Sequence, residues 1–178
     1  VQAVECALEM DRISLDFNER YKAKGTKFGF TRGGVNTGEA IVGKCGGSER
    51  FGYTAHGDPI NTAARMESVN KHLGTRLCIS GYTVAQCPDH FFRPVGALVL
   101  KGKTEGIEAF EPITEEESRS EQVLAYTEAF ELLRAEDPAA REKFAALRQK
   151  YPDDPLVNLH WERIEEGILS STIVLAEK

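Results

Sequence analysis

The stretch Tyr53-Thr-Ala-His-Gly-Asp-Pro-Ile-Asn-Thr-Ala-Ala-Arg-Met-Glu-Ser68 gathers the side chains best suited to chemistry on a phosphorylated sugar. Asn61 and Arg65 stand four residues apart, so a helix places them on one face, one turn from each other. A neutral amide and a fixed cation, stacked beside a glycine-rich turn, can grip a sugar phosphate. The planar guanidinium fork matches phosphoryl oxygens, and its charge does not titrate away.

A helix is what the local sequence predicts here. Asp58-Pro59 reads as an acidic cap followed by proline at the first helical position, where its missing N–H costs nothing. The helix should run to about Leu73, with Gly74 as its stop. Ala63, Met66 and Val69 share another face, apolar enough to pack on a sheet.

The rest of the chain reads as elements that would position that helix. Residues 1–22 carry a broad helical apolar stripe, ended by Lys24-Gly25. Phe28 and Phe30 alternate with smaller residues and suggest a strand. Gly33-Gly34 allows close backbone approach or a bulge. A turn at Asn36-Thr-Gly38 leads to a strand over Glu39–Val42, and Gly43–Arg50 is a glycine-rich, charged turn. After the central helix come a strand at 76–80, a short helix at 81–86, a strand at 95–100, a turn at 101–106 and a return strand closed by Pro112. Gly38-Glu-Ala-Ile-Val-Gly-Lys-Cys45 imitates a phosphate-binding P-loop. It is one residue short, Ala40-Ile41-Val42 is strand-like, Gly46-Gly47 follows where a helix should begin, and cysteine replaces the magnesium-binding hydroxyl.

From Thr114 the period becomes helical. Thr114-Glu-Glu-Glu117 forms a capping-box pattern. Val123, Tyr126, Ala129, Phe130 and Leu133 stripe one helix; Asp137-Pro138 starts a second, and Pro152-Asp-Asp-Pro155 a third through Leu159 and Ile164. A short β-like run, Thr172-Ile-Val-Leu175, ends the chain. The charge divides at the same place: residues 1–113 carry 14 Lys+Arg against 13 Asp+Glu, and residues 114–178 carry 8 against 15, within a net charge of −6. That split marks a boundary near Pro112 and argues against nucleic-acid binding. No run approaches the roughly 18 apolar residues of a membrane span. Cys6, Cys45, Cys78 and Cys87 show no C-x-x-C spacing and read as reduced thiols, in keeping with a cytoplasmic chain.

The central stretch resembles the "GD-x-[VI]-N-x-A-[AS]-R-[ML]-E-S" signature of class III nucleotidyl cyclases. Arg32-Gly-Gly-Val-Asn-Thr-Gly-Glu-Ala-Ile-Val-Gly43 is similar to that family's "R-x-G-[IV]-N-x-G-x-x-[IV]-x-G" strand pair, and Leu100-Lys-Gly-Lys103 to its "[VL]-K-G-[KF]" hairpin. The three motifs stand in order and span about residues 1–112. The resemblance implies an α+β fold: a mostly antiparallel, ferredoxin-like sheet with packed helices, followed by a small helical tail. It implies conversion of a nucleoside triphosphate to a 3′,5′-cyclic monophosphate and pyrophosphate. Arg65 would then stabilise the α-phosphoryl group and Asn61 orient the ribose. Lys101, rather than Lys103, would bind the triphosphate. Thr54 falls at the base-selecting position, where a hydroxyl leans toward ATP. His56, where other members carry an apolar residue or Trp, is read as structural.

The same resemblance implies two Mg²⁺ or Mn²⁺ ions and a head-to-tail homodimer, with the hairpin around residues 43–50 reaching the second protomer. The family's metal aspartates precede the helix that opens this chain, and no "F-x-D-x-x-G-F" or "G-D" hairpin precedes residue 25. Val1 is not Met. The chain is therefore expected to be a fragment of an adenylate cyclase: residues 1–113 form the C-terminal part of the catalytic domain and are inactive alone, and the parent is possibly anchored in a membrane by upstream domains. Residues 114–178 resemble one tetratricopeptide-type repeat plus a helix, which must dock on something because one repeat cannot bury a core alone. The alternatives are a catalytically inactive cyclase-like regulatory module, or a protein-interaction module whose working part is the acidic tail.

Overall fold

Helix α1 (Gln2–Lys22) forms over the stripe expected at residues 1–22. Val4 is buried on it, whereas Met10, Ile13 and Phe17 remain exposed. Phe28 folds back onto this helix, its ring centroid 5.1 Å from that of Phe17 and 5.2 Å from that of Tyr21. That packing takes the place of the strand expected at Phe28 and Phe30, and the segment is irregular. The computed structural model describes residues 1–46, 51–100, 102 and 104–174, with the backbone alone for Cys45 and Phe51.

The first strand is β1, at Gly33–Val35. It pairs in parallel with β4 (Leu77–Ser80). The expected partnership between residues 32–36 and 39–43 does not form. Strand β2 (Ile41–Gly46) pairs instead with β3 (Phe51–His56) in an antiparallel hairpin that runs from Ile41 opposite His56 to Gly46 opposite Phe51. The intervening chain is drawn over the start of the next helix: Asn36 Nδ2 donates to the Pro59 carbonyl at 3.2 Å, and a Cβ on Gly38 would lie 2.5 Å from Pro59 Cγ. Gly43 to Gly46, expected in a turn, extend β2; residues 47–50 of that turn lie outside the described residues. Within the P-loop imitation, residues 41–45 are strand and 38–40 are irregular, so the strand expected over Glu39–Val42 begins two residues later and runs further.

Helix α2 (Asp58–Leu73) has the expected span, with Pro59 in its first turn and Gly74 closing it in the left-handed conformation, φ 72°. Its cap is Gly57, at φ 145°, and Asp58 is already helical, so the expected aspartate cap is displaced by one residue. After β4 and the short helix α3 (Gly81–Val84), the long strands β5 (Phe91–Val99) and β6 (Ile107–Ile113) form an antiparallel pair. β5 starts earlier than expected, and β6 runs through Pro112, which stands opposite Phe92. β7 (Thr172–Val174) adds in parallel to β5; Leu175 lies outside the described residues. The sheet order is β1-β4-β6-β5-β7. The fold is α+β, as expected, and the sheet is mixed: its inner pairings are antiparallel, its outer ones parallel.

The expected capping box starts α4 (Glu115–Ser118), with Thr114 as its cap and Glu117 reaching back to the Thr114 N–H. Helices α5 (Glu121–Arg134), α6 (Ala139–Lys150) and α7 (Pro155–Glu165) follow. Met66, Val69 and Leu73 of α2 share one buried cluster with Val95 and Leu98 of β5, Tyr126 and Phe130 of α5, Phe144 of α6 and Leu156 and Ile164 of α7. The helical segment's apolar stripes therefore meet the same core as the sheet.

The register of β5 against β6 shifts between Pro94 and Gly96, and a break in a ladder leaves backbone carbonyls seeking donors. The helical segment supplies them. Tyr126 Oη donates to the Pro94 carbonyl at 2.9 Å, and His160 Nε2 faces the Val95 carbonyl at 3.1 Å. The imidazole must therefore carry its proton on Nε2. Burial, and secondarily the charge of Arg163, push its pKa down to about 3. In the unfolded chain the group titrates near 6.5. Between those values the unfolded chain binds a proton that the native imidazole refuses, so stability falls as pH falls. The expected result is a melting temperature that drops between about pH 6.5 and pH 5, with a shallower drop in His160→Gln, which keeps a donor but cannot titrate. Equal slopes in thermal unfolding of the two proteins would refute the assignment.

Candidate functional site

Helix α2 is seated before it presents anything. A Cβ on Gly34 would lie 2.1 Å from the Ala63 carbonyl oxygen and 2.5 Å from the Glu67 nitrogen. The helix backbone thus rests on the bare backbone of β1, the close approach that Gly33-Gly34 suggested. Met66 and Val69 are buried on the packed side. Asn61 is exposed and Arg65 half-buried, one helical turn apart. The Arg65 guanidinium reaches the turn between β5 and β6: its Nη1 lies 3.8 Å from where a Cβ on Gly102 would stand. Lys101, the expected triphosphate lysine, and Lys103 lie outside the described residues.

The start of α2 borders a recess of about 180 Å³ lined by Asp58, Pro59, Thr62, Asn36 and Tyr82, and by Glu105–Ile107 from the same β5–β6 turn. Two independent contacts therefore bring that turn and α2 together. Thr54 is not joined to them. It is exposed on β3, opposite Gly43 in the hairpin, and is not among the residues lining the recess. His56, read as structural, is exposed on the same strand.

The chemistry open to this arrangement is electrostatic. A guanidinium beside a glycine turn, with an amide one helical turn away, offers fixed positive charge and hydrogen-bond donors to a phosphate-bearing ligand. Cys78 and Cys87 are buried free thiols, and burial, with the Glu111 charge adding to it, pushes the Cys78 thiol up to about 12, so it is held protonated. Among the described residues, no group of three or more His, Cys, Asp or Glu is placed to hold a metal ion. The donor set present does not fit the two-metal cage that the cyclase resemblance implies. Among the described residues, no helix is long and apolar enough to cross a membrane.

An α+β fold with a mixed sheet, and a helix laid on a glycine strand with Asn61 and Arg65 one turn apart on it, sets the class at the level of fold. The family profile described as "Adenylate and Guanylate cyclase catalytic domain" matches residues 1–112, and the chain belongs to that family. It is 41% identical over 112 residues to "Adenylate cyclase 1" of Rhizobium meliloti (strain 1021), covering 62% of this chain and 17% of the relative. It is 35% identical over 119 residues to "Adenylate cyclase, terminal-differentiation specific" of Dictyostelium discoideum, covering 64% of this chain and 5% of the relative. The chain thus spans less than a fifth of either relative's length. Among solved structures it is similar to the adenylyl cyclase CyaB from P. aeruginosa, with a TM-score of 0.56 and 25% identity, over 64% of this chain and 58% of that one.

Two amides escape a reading that looks only for charge. Asn36 ties the end of β1 to the first turn of α2. Asn70 is fully buried, and its Nδ2 lies 3.0 Å from the Gly33 and Met66 carbonyls and 3.1 Å from that of Glu67. Its Oδ1 accepts from Thr75 Oγ1 at 2.7 Å. The signal for Asn70 was present: a polar residue on the stripe of Met66 and Leu73, where burial requires full hydrogen bonding. The expected cost of Asn70→Ala is about 2 kcal/mol of folding stability, because the Gly33 carbonyl loses a donor. Asn70→Asp should cost more, since it turns an anion toward carbonyl oxygens. Denaturant unfolding checks the order; an aspartate variant as stable as the wild type contradicts it.

Proposed function

We propose that this chain is the nucleotide-gripping part of an adenylate cyclase catalytic domain, which converts ATP to 3′,5′-cyclic AMP and pyrophosphate. The observation that carries this reading is the Arg65 guanidinium at the Gly102 turn, one helical turn from Asn61. The names of the relatives support the same reaction. The ribose 3′-oxygen would attack the α-phosphorus in line; the O3′–Pα bond forms, the bond to the β-phosphate oxygen breaks, and the 3′-hydroxyl proton is lost. Negative charge grows on the α-phosphoryl oxygens and on the leaving pyrophosphate, so positioning and fixed cations do most of the work. In this reading Arg65 faces the α-phosphoryl group, Asn61 orients the ribose, Lys101 holds the triphosphate and Thr54 favours adenine.

Among the described residues no group of three or more metal-ligating side chains forms, and the chain by itself is proposed to be inactive, with the metal carboxylates contributed by other parts of the protein. A second copy of the chain is the proposed partner. Ile41 and Tyr53 on the β2–β3 hairpin are 79% and 75% exposed, and Val42 beside them is also exposed. Apolar side chains displayed on a projecting hairpin suit burial against another protomer. Residues 114–178 are proposed as the tetratricopeptide-like segment of the same protein.

In the natural full-length polypeptide supplied with Mg²⁺ or Mn²⁺, Arg65→Ala should lower cyclic AMP formation about a hundredfold with circular dichroism unchanged. Arg65→Lys should not restore it, because an ammonium lacks the planar fork. A folded alanine variant with undiminished turnover would overturn the assignment. For the dimer, Tyr53→Glu should shift sedimentation toward monomer and lower turnover together; a wild-type protein that is active as a monomer rules the dimer out.

A further inference from the structure

The C-terminal end of α2 meets the start of α7. Gly74 closes α2 at φ 72°, and a Cβ placed there would lie 2.5 Å from Pro155 Cβ. Pro155 therefore abuts the last turn of the helix that carries Asn61 and Arg65. A contact of this kind limits motion only if its far side is fixed, and here it is. Asp154, the residue before Pro155, accepts from Leu156 N at 3.0 Å and Val157 N at 3.2 Å, capping α7. The same carboxylate receives Arg93 Nη2 at 2.7 and 2.9 Å and Gln122 Nε2 at 2.6 Å. The pair is nearly sealed, with side-chain exposures of 7% for Arg93 and 1% for Asp154. The Arg93 guanidinium carbon lies over the Tyr126 ring, 3.8 Å from its centroid. Arg93 belongs to β5, where it stands opposite Glu111 of β6.

A mechanical line thus runs from β5 through Arg93, Asp154 and Pro155 to Gly74 and α2. On its other side α2 rests on Gly34 and is tied to Gly33 through Asn70. The strand sets the distance of the helix from the sheet. What remains is sliding along the helix axis, and a residue shift in that direction moves every side chain by about 1.5 Å.

We propose that Pro155, anchored through Asp154 and Arg93, is the axial stop for α2 and so a positioning residue for Asn61 and Arg65. The helical segment after residue 113 would then act on the reaction from within the fold, by holding the register of the phosphate-facing helix against the turn at Gly102. This rests on the reading that α2 presents those two residues to the nucleotide.

The test compares Pro155→Gly with Pro155→Ala in the natural full-length polypeptide. Both lose the proline ring at the first position of α7, but alanine keeps the Cβ that meets Gly74. Pro155→Gly should speed amide hydrogen exchange in residues 66–73 and lower kcat about tenfold, with KM held within about twofold, as expected for a small misplacement of catalytic groups. Pro155→Ala should restore both toward wild type. Equal losses in the two variants would trace the effect to the proline ring and overturn the stop, as would a glycine variant with unchanged kcat or unchanged exchange. Should Pro155→Gly unfold α7, Asp154→Asn gives the second reading: asparagine preserves the cap and removes the charge paired with Arg93, and unchanged exchange in α2 there also overturns the proposal. The exchange readout needs no nucleotide. If Arg65→Ala leaves turnover intact while residues 66–73 still loosen in Pro155→Gly, the assignment of Arg65 fails and the stop stands.

Discussion

The distance between α2 and β1 governs the rest of the site. With the Ala63 carbonyl and the Glu67 nitrogen pressed on Gly34, no side chain can stand between helix and strand. Any residue larger than glycine would lift the helix, and with it the whole face that carries Asn61 and Arg65. Such a close seat also removes the usual cushion of interdigitating side chains, so polar groups at the contact must be matched directly. Asn70 does this, reaching from the helix to the Gly33 carbonyl and bonding Thr75 just past the helix end. Asn36 does it at the opposite end, on Pro59. The three residues act as one clamp: glycine sets the separation, and two amides set the rotation.

The region after residue 113 is joined to this clamp by polar contacts as much as by burial. The register shift in β5 exposes the Pro94 and Val95 carbonyls, and Tyr126 and His160 cover them. A buried ion pair such as Arg93–Asp154 is weak evidence of net stability, since desolvating two charges offsets much of their attraction. Its effect is better understood as placement. Four donor groups make five hydrogen bonds to one carboxylate, and together they fix how α7 sits against β5. By contrast, exposed pairs such as Lys143–Glu128 and Lys150–Glu121 decorate the acidic surface and contribute little. Beside the buried pair, Glu111 has its carboxyl pKa raised by burial, which Arg93 only partly opposes.

The elements governed by short-range rules were legible in the sequence. The capping box at Thr114, the proline in the first turn of α2, the left-handed glycine at its end and the stripes of α5 to α7 each depend on residues within a few positions. What was misread depends on partners far away in the chain. Phe28 and Phe30 alternate like a strand, yet α1 offers an aromatic surface that takes Phe28. The motif at 32–43 contains two strands, but nothing local says that one pairs with Leu77–Ile79 and the other with Phe51–His56. Asp58 is a good cap by type, but the wide backbone angle available to Gly57 takes that position. Of the site, the pairing of Asn61 with Arg65 follows from helical spacing alone, whereas the approach of Arg65 to Gly102 is a tertiary fact.

The residues proposed to act on the nucleotide belong to two parts of the structure that are held very differently, and this separation bears on how such a domain would work. Arg65 and Asn61 ride on a helix pinned by a glycine seat, two amides and a buried core. Thr54 stands exposed on a hairpin whose strands pair with each other rather than with the main sheet. Stabilising charge that develops only in a transition state requires groups that are already in place, because any reorganisation would be added to the barrier. Recognising a base has no such requirement; it can be completed on binding, when the hairpin meets ligand or a second protomer. A rigid helix for the phosphate side and an outlying hairpin for the base side is therefore a division of labour that the energetics of phosphoryl transfer would favour. On that reading the close seat of α2 on Gly34 and the uncovered apolar residues on β2 and β3 serve different ends.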